Sequence, residues 1–209
     1  MSVIDRLSSS LGRRDDVANQ ELAQELVEAQ ATEEIRELVA NLHNRDPRIQ
    51  SDCIKTLYEI GYIAPELIAD YAPQFLELLK SRRNRMVWGG MCALATIAAH
   101  RADILYEHRE EIQAAIERGS VITRDRGIKA LSIVAGQQEA YRAELLPYLL
   151  AHLETCRPKD VPQRAEAILK AVDHESRDRF IAAIQARMAD MRPSQEKRLR
   201  KVIAAAEKL

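Results

Sequence analysis

Histidine and cysteine are the residues here best suited to hold a metal or attack a substrate, and their spacing suits neither task. His43, His100, His108, His152 and His174 form no HExxH and no Glu-x-x-His pair, and Cys53, Cys92 and Cys156 form no CxxC, so a structural zinc or a carboxylate-bridged metal pair is not expected. There is no Gly-x-Ser-x-Gly elbow. The pair Gly89-Gly90 is not a phosphate loop, since no strand precedes it and no Gly-Lys-Ser/Thr follows. No catalytic residue, metal or cofactor is expected, and the chemistry left is recognition. Trp88 is the single tryptophan. With Tyr58, Tyr62, Arg48, Arg85, Asp125 and Lys129 it falls on one face of the repeat frame described below. Trp, Tyr and Arg are the residues in which binding energy concentrates.

The elements that must position these side chains centre on Met86–Ala99, a stretch without a charge and with two adjacent glycines near its start. A helix that is apolar nearly all round is expected to be buried on more than one face. Its glycines admit a neighbouring backbone, at about 1 kcal/mol each in helix propensity. Around this stretch the chain repeats. A shift of 37 residues superposes Leu38, Phe75, Ile112 and Leu149, then Leu42, Leu79, Ile116 and Leu153, in the first helix of each pair. In the second helices it superposes Leu57, Leu94, Leu131 and Ile168, then Ile60, Ile97, Val134 and Ala171. A shorter fifth unit continues through Ile184, Met188, Val202 and Ala205. Two helices per unit at this period predict an α-solenoid. Thr32 is the expected cap of the first helix, Asp46-Pro47 opens the second and Gly61 closes it, while Ser176 and Ser194 are the expected caps of the last pair.

The second helix of the first unit, with Asp46-Pro47, Ile49, Cys53, Ile54, Leu57, Ile60 and Gly61, resembles the HEAT-repeat pattern; the later units keep its apolar frame, so the chain resembles a divergent member over residues 31–209. The resemblance implies an all-α, right-handed solenoid of about five helical hairpins, whose second helices form a concave wall that binds other macromolecules. Residues 1–30 are expected to form an N-terminal helical arm or cap. In that frame the outward side of the first unit is Arg48, Ser51, Lys55, Tyr58, Glu59 and Tyr62, and that of the central helix is Arg85, Trp88, Cys92, Ala95, Thr96 and Ala99. Three occupants fit this face: a protein or peptide partner, the N-terminal arm folded back, or a second copy of the chain. The architecture is also similar to that of the HEAT-like alkylpurine DNA glycosylases, which would give Trp88, Asp125 and Arg85 or Arg126 a DNA-binding role. Against that, Cys92 stands where that family has an aspartate one turn after a tryptophan, and no second tryptophan is present. HEAT-like bilin lyases offer no matching residue.

Composition agrees with a binding scaffold rather than a polyanion binder. Thirty-one Lys and Arg balance 32 Asp and Glu, whereas a duplex-binding wall is strongly basic. The charge is uneven, with four arginines against nine carboxylates in residues 1–40 and six basic against two acidic residues in 192–209. A basic run, Lys80, Arg82, Arg83 and Arg85, enters the central helix, reading either as a solvated edge or as a site for an acidic peptide or a nucleic-acid backbone. Three widely spaced cysteines inside helical patterns read as reduced, packed thiols. With no apolar leader and no stretch of the roughly 20 apolar residues that a membrane span needs, a cytoplasmic location without membrane attachment is expected.

Overall fold

The computed structural model describes residues 2–209, and among them there are helices and turns but no strand. A 3-10 turn, Val3–Arg6, precedes α1 (Val17–Glu28). There follow α2 (Thr32–Ala40), α3 (Pro47–Ile63), α4 (Ala72–Leu78), α5 (Asn84–Ile97), α6 (Ala102–Glu107), α7 (Arg109–Arg118) and α8 (Val121–Ala135). The chain ends with α9 (Glu139–Thr155), α10 (Val161–Ile168), α11 (Arg177–Gln185) and α12 (Pro193–Ala206). By packing it divides into two compact units, the first ending at Gly127 and the second running Ile128–Leu209.

The repeat frame is also the burial frame. The second helices α3, α5 and α8 begin at Pro47, Asn84 and Val121, each 37 residues after the last. Leu38, Phe75, Ile112 and Leu149 are wholly buried, as are Leu57, Leu94, Leu131 and Ile168. The last pair departs from it. Met188 lies in a 3-10 turn and Ala205 is exposed, because α12 starts at Pro193 and turns Val202 and Ala206 inward instead. Helix ends follow the expected chemistry only in part. Asp46 caps α3, its carboxylate accepting from the Arg48 N–H at 2.8 Å, with Pro47 in the first turn. Thr32 is already inside α2, Ser176 spends its hydroxyl on Asp173 rather than on the helix, and Ser194 lies inside α12.

In the first unit α3 is the hub, packed against α5, α1 and α2. A buried polar clasp ties the N-terminal segment to it. Asp52 accepts from the Ser9 N–H at 2.8 Å and the Asn19 amide at 2.9 Å, and Asn19 in turn accepts from the Ser8 N–H at 2.9 Å. The Asp52 carboxylate and the Asn19 amide are thereby partnered, which is what makes their burial tolerable, while the Ser8 and Ser9 hydroxyls are buried without a hydrogen-bond partner. Glycines set how closely the helices approach. A Cβ on Gly89 would lie 2.8 Å from Ile54 of α3, and one on Gly90 would lie 2.9 Å from the Phe75 carbonyl of α4. The two adjacent glycines therefore serve opposite neighbours, and α5 is apolar all round because it is packed on both. Gly61 does not end α3, which runs on to Ile63. It is buried at the α5 contact, where a Cβ would lie 2.1 Å from Thr96 Oγ1.

In the second unit α9 packs on α10 and α11, and α12 on both of those. Arg187 closes the C-terminal end of α9, donating to the carbonyls of Leu153 at 2.9 Å, Glu154 at 2.8 Å and Cys156 at 2.9 Å. Carbonyls left open at a helix end are thus satisfied by a cation that also suits the dipole.

Candidate partner-binding site

Tyr58 and Tyr62 stand one turn apart on α3, so they share a face. Their ring centroids are 5.9 Å apart at 70°, edge to face. From α5, Trp88 comes within 6.1 Å of Tyr58 at 47°. The close approach that Gly61 and Gly89 allow between the helices makes this cross-helix contact. The result is one aromatic strip, Trp88 to Tyr58 to Tyr62, in the geometry that aromatic quadrupoles favour. Tyr58 is its buried middle at 6 % exposure, Trp88 is half-buried and Tyr62 is 44 % exposed. Burial pushes the Tyr58 phenol up and carries Tyr62 to about 12, so both rings keep their protons as hydrogen-bond donors at neutral pH.

Each ring carries one of the protein's own cations. The Arg85 guanidinium lies 4.0 Å from the centre of Trp88, the Lys55 ammonium 5.0 Å from Tyr58 and the Arg126 guanidinium 5.7 Å from Tyr62. All three distances are within the range of cation–π attraction. Lys55 also donates to Glu59 at 2.5 Å. Burial alone would lower its pKa, but the Glu59 and Tyr58 contacts together outweigh that and the net shift is upward. Beneath the strip the Cys92 thiol is raised by burial, an effect that Arg126 and the Tyr62 hydroxyl partly offset. At the edge, the Asp16 carboxylate stands 3.9 Å from Lys55 Nζ and 4.0 Å from Arg85 Nη2, with half of its side chain in water.

Four of the residues expected to act together, Arg85, Trp88, Tyr58 and Tyr62, therefore form one chain of successive contacts. Arg48 is not among them; it is exposed at the start of α3, folded onto Asp46 at 2.7 Å. Asp125 is half-buried on α8 next to Arg126, and Lys129 belongs to the second unit. The outward side of α5 is narrower than helical periodicity alone implies, since Cys92 is 3 % and Ala95 4 % exposed. Asp16 has no counterpart in the repeat frame. Its only sequence signal is the acidic excess of residues 1–40, with Asp15-Asp16 standing just before α1. The basic run at the entry to α5 is split among different tasks. Lys80 pairs with Glu111 at 2.9 Å, Arg83 ties α5 to α3 through the Pro47 carbonyl at 3.0 Å and the Gln50 side chain, and Arg82 is exposed. Among the described residues no group of three or more His, Cys, Asp or Glu side chains is placed to hold a metal ion, and no helix is long and apolar enough to cross a membrane.

No protein-family model and no curated protein matches the chain. Solved structures do. A designed armadillo repeat protein in complex with the peptide (KR)4 superposes with a TM-score of 0.68 at 16 % identity, over 90 % of this chain and 85 % of that one. An engineered protein matches over the full length of both chains, with a TM-score of 0.67 at 18 % identity. Kap121p bound to Pho4p gives a TM-score of 0.65 at 14 % identity, with 98 % of this chain on 22 % of that one. The fold is an armadillo/HEAT-type α-solenoid. In chain order the helices fall as α2 and α3, α4 and α5, α7 and α8, α9 and α10, and α11 and α12, with the short α6 between the second and third of these. The likeness to the glycosylases gains nothing from the site, because Arg85 already occupies one face of the Trp88 ring.

Proposed function

We propose that this armadillo/HEAT-type solenoid is a binding scaffold without enzymatic activity, and that it holds a protein or peptide partner on the second-helix face of the first unit, around Trp88. The observation that carries the reading is the continuous strip Trp88–Tyr58–Tyr62 with its three cations. Strips of this composition, anchored in a packed floor and open at the rim, are where hot spots form. The similar structures support the reading, one being a designed armadillo protein with a bound peptide and another Kap121p with Pho4p. Arg85 and Arg126 stand at the two ends of the strip and Tyr62 is its most exposed ring, so these three would make the outermost contacts.

Selection from a random displayed-peptide library on the wild-type protein supplies ligands with which to test this. Trp88→Ala is expected to weaken the selected peptides by about 2 kcal/mol, roughly thirty-fold. Unchanged affinity together with a large fall in melting temperature would assign Trp88 to packing and refute the site. Self-association at high concentration that Trp88→Ala abolishes would reassign the strip to a contact between copies.

A further inference from the structure

The cations of the strip restrict its ligand. The inference rests on the reading above and adds the charge of the partner. At each of the three rings a position that a ligand lysine or arginine would take by cation–π attraction is filled from within, by Arg85, Lys55 and Arg126. A basic ligand would meet like charges there, at a cost that grows as water is excluded. The protein also shows what these cations attract: Lys55 is already paired with Glu59 at 2.5 Å, which leaves Arg85 the less satisfied of the two. Asp16, from the exposed segment before α1, sets its carboxylate near Lys55 and Arg85, yet at 3.9 and 4.0 Å it only just reaches them. Its side chain is 51 % exposed, so it holds the position loosely. Among the described residues, no other carboxylate lies within 4.0 Å of Arg85.

We propose that the strip binds an extended acidic peptide, one carboxylate displacing Asp16 from beside Lys55 and Arg85 and a second pairing with Arg126 at the far end. The spacing follows from the rings. Centroid steps of 6.1 and 5.9 Å separate Trp88, Tyr58 and Tyr62. An extended chain advances about 3.3 Å per residue, so the two carboxylates stand at most about four residues apart, with apolar side chains between them over the rings. Guanidinium groups suit this task, since each can grip a carboxylate through two parallel N–H donors while still lying on an aromatic face.

The test is a titration of Trp88 fluorescence in the full-length protein with three synthetic peptides: one with two glutamates four positions apart in an apolar background, its glutamine isostere, and (KR)4. The glutamate peptide is expected to bind at least ten-fold more tightly than the isostere, with an advantage that shrinks at high salt. The double variant Arg85→Gln/Arg126→Gln removes that advantage. Asp16→Ala changes an exposed residue, so it leaves the fold intact, and it is expected to tighten the glutamate peptide two- to three-fold by removing the internal competitor. Equal binding of glutamate and glutamine peptides, or tighter binding of (KR)4, overturns the acidic ligand while leaving the site in place. If none of the three peptides alters the fluorescence, the acidic ligand is also refuted. Displayed peptides whose capture is lost in Trp88→Ala would then show that the site itself survives, and their absence would show that it does not.

Discussion

One position of the repeat frame separates the two units. Steps of 37 residues from Cys53 reach Gly90, Gly127 and Arg164. In the first unit all three residues are small and buried, and the glycines are filled by their neighbours, Gly90 by the Phe75 carbonyl and Leu78, Gly127 by Ile116. In the second unit the same place holds a buried arginine, Arg164, whose guanidinium comes within 3.4 Å of the His152 carbonyl. The rest of the face differs accordingly. The first unit has an aromatic strip with cations on its rings. On α10 of the second unit stands Glu166, gripped by Arg198 of α12 at 3.0 and 2.7 Å. A common apolar frame thus supports two kinds of face. Close packing in the first unit brings rings from two helices together, while the second unit spends its polar side chains on each other and on backbone carbonyls.

The sharpest way to break this contrast is to fill the gap that small residues leave. Gly90→Val is expected to destabilise the protein by about 3 kcal/mol, because the new Cβ falls 2.9 Å from a backbone carbonyl that cannot rotate away, and β-branching stiffens it further. Urea unfolding measures the loss. A neutral or stabilising result would mean that α4 and α5 can separate freely and that the small-residue step is not what sets their approach.

The frame behind that contrast was legible in the chain, since Leu57, Leu94, Leu131 and Ile168 recur at one spacing and all four are buried. So was the aromatic cluster, because Tyr58 and Tyr62 are one turn apart and Trp88 lies 30 residues on in the next second helix. Periodicity could not give the exposure of those residues. Helical phase places Cys92 and Ala95 on the outward side, but how far neighbouring helices wrap round α5 depends on distances that glycines set. Nor could it give Gly61, a helix-ending residue by local preference that lies inside α3, where Thr96 takes the space that a side chain would need. Asp16 was hidden for another reason. It lies outside the repeat, and only the folding of α1 against α3 brings it to Lys55 and Arg85.

A second effect, spread over a range of pH, distinguishes the first unit. Burial pushes the Cys53 thiol up to about 12 from an ordinary 9.0 and carries Tyr62 to about 12 from 10.0. Both groups hold their protons in the folded protein at pH values where the unfolded chain has lost them. The Cys53 contribution is therefore complete below pH 9 and declines as pH rises from 9 towards 12, by at most about 1.4 kcal/mol per pH unit, while Tyr62, 44 % exposed, adds less because solvent screens it. Urea midpoints are expected to fall above pH 9, and Cys53→Ala to flatten the first part of that fall. An identical slope in the variant would show that Cys53 is not the source.

The smallest effect sharpens the contrast from the side of the second unit. Glu166 and Arg198 form a two-bond ion pair between α10 and α12, with 45 % and 52 % of their side chains in water. Exposed pairs of this kind are screened by salt and typically contribute less than about 1 kcal/mol. Arg198→Ala is expected to shift the urea midpoint slightly, with the shift vanishing at high salt, and to leave peptide binding at the Trp88 strip unchanged. The pair serves only to hold its own helices, whereas Arg85, also a cation on a second helix, lies on an aromatic ring with a carboxylate barely within reach. If Arg198→Ala altered peptide affinity as much as Arg85→Gln, the division of labour between the two faces would be wrong.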